Sequence, residues 1–269
     1  MSTQNNDFLT KLSKNLTLRI PIYCTGYPED PFILNYCNKY HITQERDDLL
    51  LKDKNYSVIK RIGFDAISIW DFRRSAGGYF LNGKHYVDGW GRIFKNNWYS
   101  WDGVFKNQAI IDNWKHLKLP SIEDFKLLSG LIKKFEKINL IPVFSLPGLF
   151  EKTWQSMGFI FFSKCLRKEN FNLIKSIIDF FFDYSMSLLK ALQKYDINIF
   201  LIADDLGYKK RLFINESLWS NLFFEKYQRI IKQVHLIQRN KSKIILHSDG
   251  DLSEIFEDII KSGVDALHP

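Results

Sequence analysis

Six short runs of apolar, mostly β-branched residues recur along the chain, and helical patterns separate several of them. The runs cover 19–24 (RIPIYC), 66–70 (AISIW), 140–146 (LIPVFSL), 197–203 (INIFLIA), 243–247 (KIILH) and 264–268 (VDALH). Continuous apolar runs of this length suit strands buried on both faces, as in a parallel sheet. Between them, Ser121 and Asp124 form a capping-box pattern ahead of Phe125, Leu128, Leu131 and Ile132. Residues 171–192 are apolar with a helical period. Residues 216–237 repeat Leu218, Leu222, Tyr227, Ile230 and Val234, and 252–261 form an apolar stripe that stops at Gly263. Strands alternating with helices call for βαβ units.

Two architectures satisfy that pattern. One is an open doubly wound sheet. The other, preferred here, is a (β/α)8 barrel that is C-terminally incomplete, with about six strands over 269 residues, where a whole barrel takes roughly 250 residues and eight strands. The expected organisation is one domain over 1–269, with a flexible stretch at 1–15. A β-hairpin insertion is expected at 77–105 after the second strand, marked by Asn82-Gly83. That insertion is placed to wall or cover a site. The chain ends at His268-Pro269, as a loop would begin, so it reads as a fragment of a longer protein.

Charge and cysteine content narrow the function classes. The formal charge is +8, but the lysines are scattered. The tight clusters, Lys209-Lys210-Arg211 and Arg239, Lys241 and Lys243, lack the interleaved aromatics of a nucleic-acid platform. Cys24, Cys37 and Cys165 are widely spaced and odd in number, which argues against a disulfide framework and for a reducing compartment. No signal peptide is visible, and the longest apolar stretch is broken by Asp179 and Asp183. The expectation is a soluble cytoplasmic protein that binds a small molecule, with neither nucleic acid nor membrane as partner.

In a barrel the reacting groups sit at the C-terminal ends of the strands. Here three consecutive strand ends are polar: Asp204-Asp205, then His247-Ser248-Asp249, then His268. Two adjacent carboxylates after a strand can serve as general base or hold a cation. Because successive strand residues point to opposite faces, at most one of Asp204 and Asp205 is expected in the pocket while the strand geometry persists. His247 and Asp249 are two apart, so they face the same way, and both are acceptable zinc ligands. Asp204, Asp205 and His247 are therefore the candidate catalytic residues. Asp71, Asp249 and His268 are the candidate substrate-binding residues, and His247 with Asp249 is the candidate metal pair. Arg73 and Arg74 follow Asp71 and can meet an anion. Asp88, Trp90 and Arg92 in the insertion read individually as solvated loop or packing residues.

The blocks Ala203-Asp204-Asp205-Leu206-Gly207-Tyr208, Ile245-Leu246-His247-Ser248-Asp249-Gly250-Asp251-Leu252 and Gly263-Val264-Asp265-Ala266-Leu267-His268-Pro269, with Asn215, Trp219, Phe223 and Tyr227 between them, resemble the uroporphyrinogen decarboxylase superfamily. The likeness is nearer to its corrinoid-linked methyltransferase branch. Weaker matches run through Ile141-Pro142-Val143, Val87-Asp88-Gly89-Trp90-Gly91-Arg92, Gly63-Phe64-Asp65-Ala66 and Arg19-Ile20-Pro21-Ile22. The resemblance implies a (β/α)8 TIM-type barrel that transfers a methyl group. It also implies zinc, and a corrinoid carried by a partner protein or a small methyl donor. In that branch a His-x-Cys pair and a distant Cys hold the zinc. His247 matches the histidine, whereas Asp249 stands where the cysteine would be. Decarboxylation of the tetrapyrrole precursor is the second reading, and it is disfavoured because 23–30 carries no arginine to grip carboxylates. A non-catalytic binding subunit or truncated remnant is the third.

Overall fold

A computed structural model describes residues 22–24, 30–41, 56–69, 77–96 and 98–268. The expectations for 1–15, for 19–21 of the first strand, and for Asp71, Arg73 and Arg74 lie outside these residues.

Six strands make one parallel sheet: β1 (Tyr23–Cys24), β2 (Ala66–Ile69), β7 (Ile141–Pro147), β8 (Ile199–Ala203), β11 (Lys243–His247) and β12 (Ala266–His268), in that spatial order. Sheet order follows chain order. Each expected run thus supplies one strand; the ends of the last five shift by at most two residues, and the first, expected over 19–24, is a strand at Tyr23–Cys24 among the described residues. The sheet is curled: the Tyr23 and His268 rings, from the first and last strands, lie 5.8 Å apart edge to face. Ala66, Ile141, Val143, Ile199 and Leu201 pack together as one small buried cluster, joined by Tyr23, Ala203 and Ile245. The alternate residues, among them Ile67, Phe144, Phe200, Ile202, Ile244 and Leu246, join the larger core shared with the helices. Burial on both faces explains why these strands read as unbroken apolar runs.

Helices α1 (Asp30–Lys39), α2 (Tyr56–Ile62), α3 (Gln108–Asp112), α4 (Leu128–Lys137), α5 (Leu149–Met157), α6 (Phe159–Arg167), α7 (Phe171–Leu192), α8 (Glu216–Trp219), α9 (Glu225–Ile237) and α10 (Phe256–Ser262) complete the mixed α/β fold. The Ser121–Asp124 capping box is present, but it starts a 3₁₀ turn, Ile122–Phe125, ahead of α4. A π turn, Ser220–Phe224, joins α8 to α9, so 216–237 is one nearly continuous helical segment. Gly263, at φ 93°, closes α10 as expected. Among the described residues no helix is long and apolar enough to cross a membrane.

The insertion is more than one hairpin. It is a four-stranded antiparallel sheet of β3 (Gly78–Leu81), β4 (His85–Asp88), β5 (Arg92–Lys95) and β6 (Trp98–Gly103). Asn82 and Gly83 both have positive φ, as a primed two-residue turn needs. This sheet is pinned to α5. Tyr99 donates to the Gln155 carbonyl at 3.0 Å, the Phe105 amide donates to the Ser156 carbonyl at 2.9 Å, and Trp101 stacks on Trp154 at 5.4 Å.

Candidate functional site

The register of the sheet sets the site. Pro147, Ala203, His247 and His268 occupy one rung across four neighbouring strands, at their C-terminal ends. Their common face is the one that carries the inner apolar cluster, so His247 and His268 sit above it at the mouth. One residue beyond each strand the chain points the other way. Asp204 and Ser248 are 1% exposed and lie behind this rung. Asp205 and Asp249 return to the mouth.

Two loops deliver those carboxylates. The loop after β8 runs into a small ladder, β9 (Gly207–Tyr208) with β10 (Arg211–Leu212). The loop after β11 crosses it closely: a Cβ on Gly250 would stand 2.5 Å from the Gly207 carbonyl carbon and 2.6 Å from the Tyr208 nitrogen. Gly250 also has φ 84°, so glycine is required there on both grounds. The Asp249 amide donates to Asp205 Oδ1 at 3.0 Å, and the Asp251 amide donates to the Lys209 carbonyl at 3.1 Å. Ser248 Oγ accepts from the Leu206 amide at 2.8 Å behind them.

Asp205, His247 and Asp249 each bring one ligand atom within 4.8 Å of the other two. His247 Nε2 lies 3.8 Å from Asp205 Oδ1. The opposite nitrogen, His247 Nδ1, is 2.9 Å from His268 Nδ1 and 3.1 Å from the His268 carbonyl. A carbonyl can only accept, so the proton of a neutral His247 belongs on Nδ1 and the lone pair of Nε2 faces the carboxylates. Burial, and then the neighbouring His247, push the His268 imidazole pKa down. Among the described residues neither Asp205 nor Asp249 pairs with a lysine or arginine. Two carboxylates and a bare imidazole nitrogen therefore converge with nothing cationic between them. That donor set, three protein ligands, suits a divalent ion. Among the described side chains no thiol joins it: Cys37 and Cys165 are buried in the helical core.

Asp204 does something different. Its Oδ2 accepts from the Phe150 amide at 2.9 Å and its Oδ1 from the Glu151 amide at 2.6 Å, at the N-terminus of α5. The Tyr227 hydroxyl also donates to Oδ2, while accepting from the Leu149 amide at 2.9 Å. Gly148 makes room for this: a Cβ there would stand 2.3 Å from Asp204 Cβ. Burial raises the Asp204 carboxyl to about 7, against the pull of its three donors. The Tyr227 hydroxyl is pushed well above its ordinary range, first by burial and then by Asp204. Asp204 thus ties β8 to α5 and α9, and its neighbour Asp205 faces the mouth.

A cavity of about 240 Å³ opens beside the mouth, lined by Ser145, Ala203, Asp204, Asp205 and His247 on the sheet side. Trp90, Arg92, Glu151 and Lys152 line it on the side of the insertion and α5. Arg92 was expected in a solvated loop, yet its side chain is 11% exposed. Its Nε and Nη2 donate to Asp88 Oδ2 at 2.7 and 2.6 Å, and Nη1 donates to Gln155 Oε1 at 3.3 Å. Asp88, 3% exposed, also takes the Trp90 and Arg92 amides on Oδ1. The signal available in the sequence was the i, i+4 spacing of Asp88 and Arg92 around Gly91.

No protein-family model matches the sequence, and no curated protein matches it. Among solved structures, a methyltransferase from Methanosarcina mazei superimposes with a TM-score of 0.64, covering 99% of this chain and 76% of its own, at 16% identity. That likeness is one of fold. A structure of the pneumococcal virulence factor StrH aligns over 97% of this chain and 65% of its own at 10% identity, but its TM-score of 0.31 is too low to carry an argument.

Proposed function

We propose that this chain is a methyltransferase acting on a small molecule at the mouth of an incomplete (β/α)8 barrel of the uroporphyrinogen decarboxylase type. The observation that carries the reading is the convergence of Asp205, His247 and Asp249 within 4.8 Å at the C-terminal ends of adjacent parallel strands. The fold likeness to the Methanosarcina mazei methyltransferase supports it. Asp205, His247 and Asp249 hold a divalent cation such as zinc, through His247 Nε2 and one oxygen of each carboxylate. A zinc ion held there would polarise a bound hydroxyl or thiol and lower its pKa, making it a better methyl acceptor. His268 orients His247 by fixing the proton on Nδ1. Asp204 holds the α5 wall in place. Asp71 belongs to the substrate-binding side of the proposal. The methyl group comes from a corrinoid carried by a partner protein or from a small donor.

Metal analysis tests this. Protein purified without chelator is expected to carry, or to take up, one equivalent of zinc. His247→Ala and Asp249→Ala are expected to lower affinity at least about tenfold, the scale on which even supporting groups act. Full zinc affinity in both variants would remove the metal from the reading.

A further inference from the structure

Strands β2 and β7 each carry one serine among apolar residues, Ser68 in AISI and Ser145 in IPVFSLP. Alternate strand positions face the same way. Ser68 therefore follows Ala66, and Ser145 follows Ile141 and Val143, onto the inner face of the curled sheet. Bulky branched residues usually fill such positions in a barrel. Ser145 pairs with Leu201, and Leu201 with Ile245, two residues below Pro147, Ala203 and His247 on their strands. The two serines thus belong to the floor beneath the mouth. We infer that Ser145, backed by Ser68, receives an uncharged oxygen, ether or carbonyl, of the small molecule bound in the cavity there. That the cavity holds the molecule acted upon rests on the proposed reaction, whereas the contact itself is argued from the hydroxyl pair.

Ser68 Oγ and Ser145 Oγ lie 2.5 Å apart, and the two residues are 3% and 4% exposed. Each hydroxyl has one proton to give. One proton is used between them, and the other meets no acceptor among the described residues. Ser145 lines the cavity and Ser68 does not. Ser68 therefore donates to Ser145, and the Ser145 proton turns to the cavity. Buried hydroxyls are seldom left without a partner, and the neighbouring Leu201 and Ile245 side chains offer none. Accepting from Ser68 also polarises the Ser145 O–H and makes it the better donor. Charge decides what it meets. The guanidinium of Arg92 is committed to Asp88, which leaves Lys152 against the carboxylates of Glu151 and Asp205 on the cavity walls. An anion on the floor would add like charge to theirs. An ether or carbonyl oxygen accepts the proton without doing so. At about 240 Å³ the cavity falls below the roughly 300–1,000 Å³ of sites that take drug-sized ligands, so the molecule is small.

Matched probes test the contact: anisole against ethylbenzene for an ether oxygen, and cyclopentanone against methylenecyclopentane for a carbonyl. In each pair the hydrocarbon keeps nearly the shape of its partner and lacks the acceptor. Titrations followed by amide NMR, on zinc-free and zinc-loaded protein, give the ratio of the two dissociation constants, hydrocarbon over oxygen compound. In at least one pair Ser145→Ala should lower that ratio about fivefold, the scale of one neutral hydrogen bond, with or without zinc. The pair that responds identifies the oxygen. Ser145→Cys, a weak donor of similar size, should give an intermediate ratio. Ser68→Ala keeps the Ser145 hydroxyl and should hold the ratio within about twofold. Circular dichroism confirms that the variants fold. No saturable binding of any probe, or a ratio that Ser145→Ala leaves unchanged in both pairs, overturns the inference and leaves the floor to water. A loss that follows Ser68→Ala alone also overturns it. An oxygen preference seen only with zinc and indifferent to Ser145 belongs to the metal and sinks the contact alone. The Ser145 effect without zinc uptake supports the contact and sinks only the metal.

Discussion

Replacing Asp204 separates the two carboxylates that stand side by side after β8. Asp204→Ala removes the acceptor for the Phe150 amide, the Glu151 amide and the Tyr227 hydroxyl. The first and last of these are buried contacts. A buried donor stripped of its partner costs about 1–3 kcal/mol, and a half-buried one about 1 kcal/mol. The sum is about 3–7 kcal/mol, a large part of the ~5–15 kcal/mol that holds a typical domain. An opposing effect depends on pH. Burial lifts the folded carboxyl to about 7, whereas unfolded it titrates near 3.8. A raised carboxyl contributes stability that is fully present below about pH 4 and lost as pH rises through about 7. The difference amounts to about 4 kcal/mol, at ~1.4 kcal/mol for each unit. Asp204→Ala is therefore expected to cost several kcal/mol at pH 4.5 and much less at pH 8. Urea unfolding followed by circular dichroism at both pH values measures this, with the m-value showing whether the unfolded state has changed. A cost that grows with pH would mean that the three donors outweigh burial and would refute the argument. A cost near zero at pH 4.5 would remove the role in tying β8 to α5. Zinc affinity in the folded fraction should stay within a few-fold of wild type.

Three further outcomes follow from the same contacts. Asp205→Asn should do the reverse of the Asp204 variant, leaving the urea midpoint unchanged or raised and cutting zinc affinity by at least about tenfold, read by competition with a chromophoric chelator. Gly250→Ala must push the 249–251 loop off Gly207 and strain a positive φ; about 1–3 kcal/mol of stability should go, and zinc affinity should fall with it because Asp249 moves away from Asp205. Unchanged zinc binding in that variant would show that the crossing of the two loops does not set the site. Tyr227→Phe should cost about 1–3 kcal/mol by leaving the Leu149 amide without its acceptor, and a double-mutant cycle with Asp204→Ala should give a coupling of about 1 kcal/mol or more. Additive effects would mean that the pair does not act as a unit.

The parts of the site legible in the sequence are those fixed by strand periodicity. An apolar run marks a strand, its last residues mark the mouth, and alternation alone predicts that Asp204 and Asp205 diverge while His247 and Asp249 agree. Asp205, His247 and Asp249 gather as alternation suggests, because parallel strands in register carry their ends to one level, while Asp204 is buried behind them and still touches the cavity beside the mouth. What the sequence hid depends on contacts between distant segments. The partnership of Asp204 with Tyr227 spans a loop, a ladder and a π turn, and nothing in the pattern of α9 sets Tyr227 apart from the core residues around it. The third member of the His247–Asp249 pair emerged only because two glycines, forty-three positions apart, let their loops cross.

Arg92 is the most instructive case, because the local reading of a polar, glycine-rich turn is solvated loop. Its burial is decided by where the four-stranded insertion docks. Tyr99, Trp101 and Phe105 fasten that sheet to α5, and the same helix starts on Asp204 and carries Glu151, Lys152 and Gln155. Asp204 therefore governs the wall that carries Arg92, Glu151 and Lys152 from behind while Asp205 works from the front. If the helix start slips when Asp204 is lost, Gln155 moves, the guanidinium of Arg92 loses its second anchor, and that wall should loosen before the metal end does. Hydrogen exchange along α5 and zinc titration on Asp204→Ala at pH 8, where the variant is expected to fold, would resolve that order. Unchanged exchange beside weakened zinc would place the helix start outside the path from the sheet to Arg92.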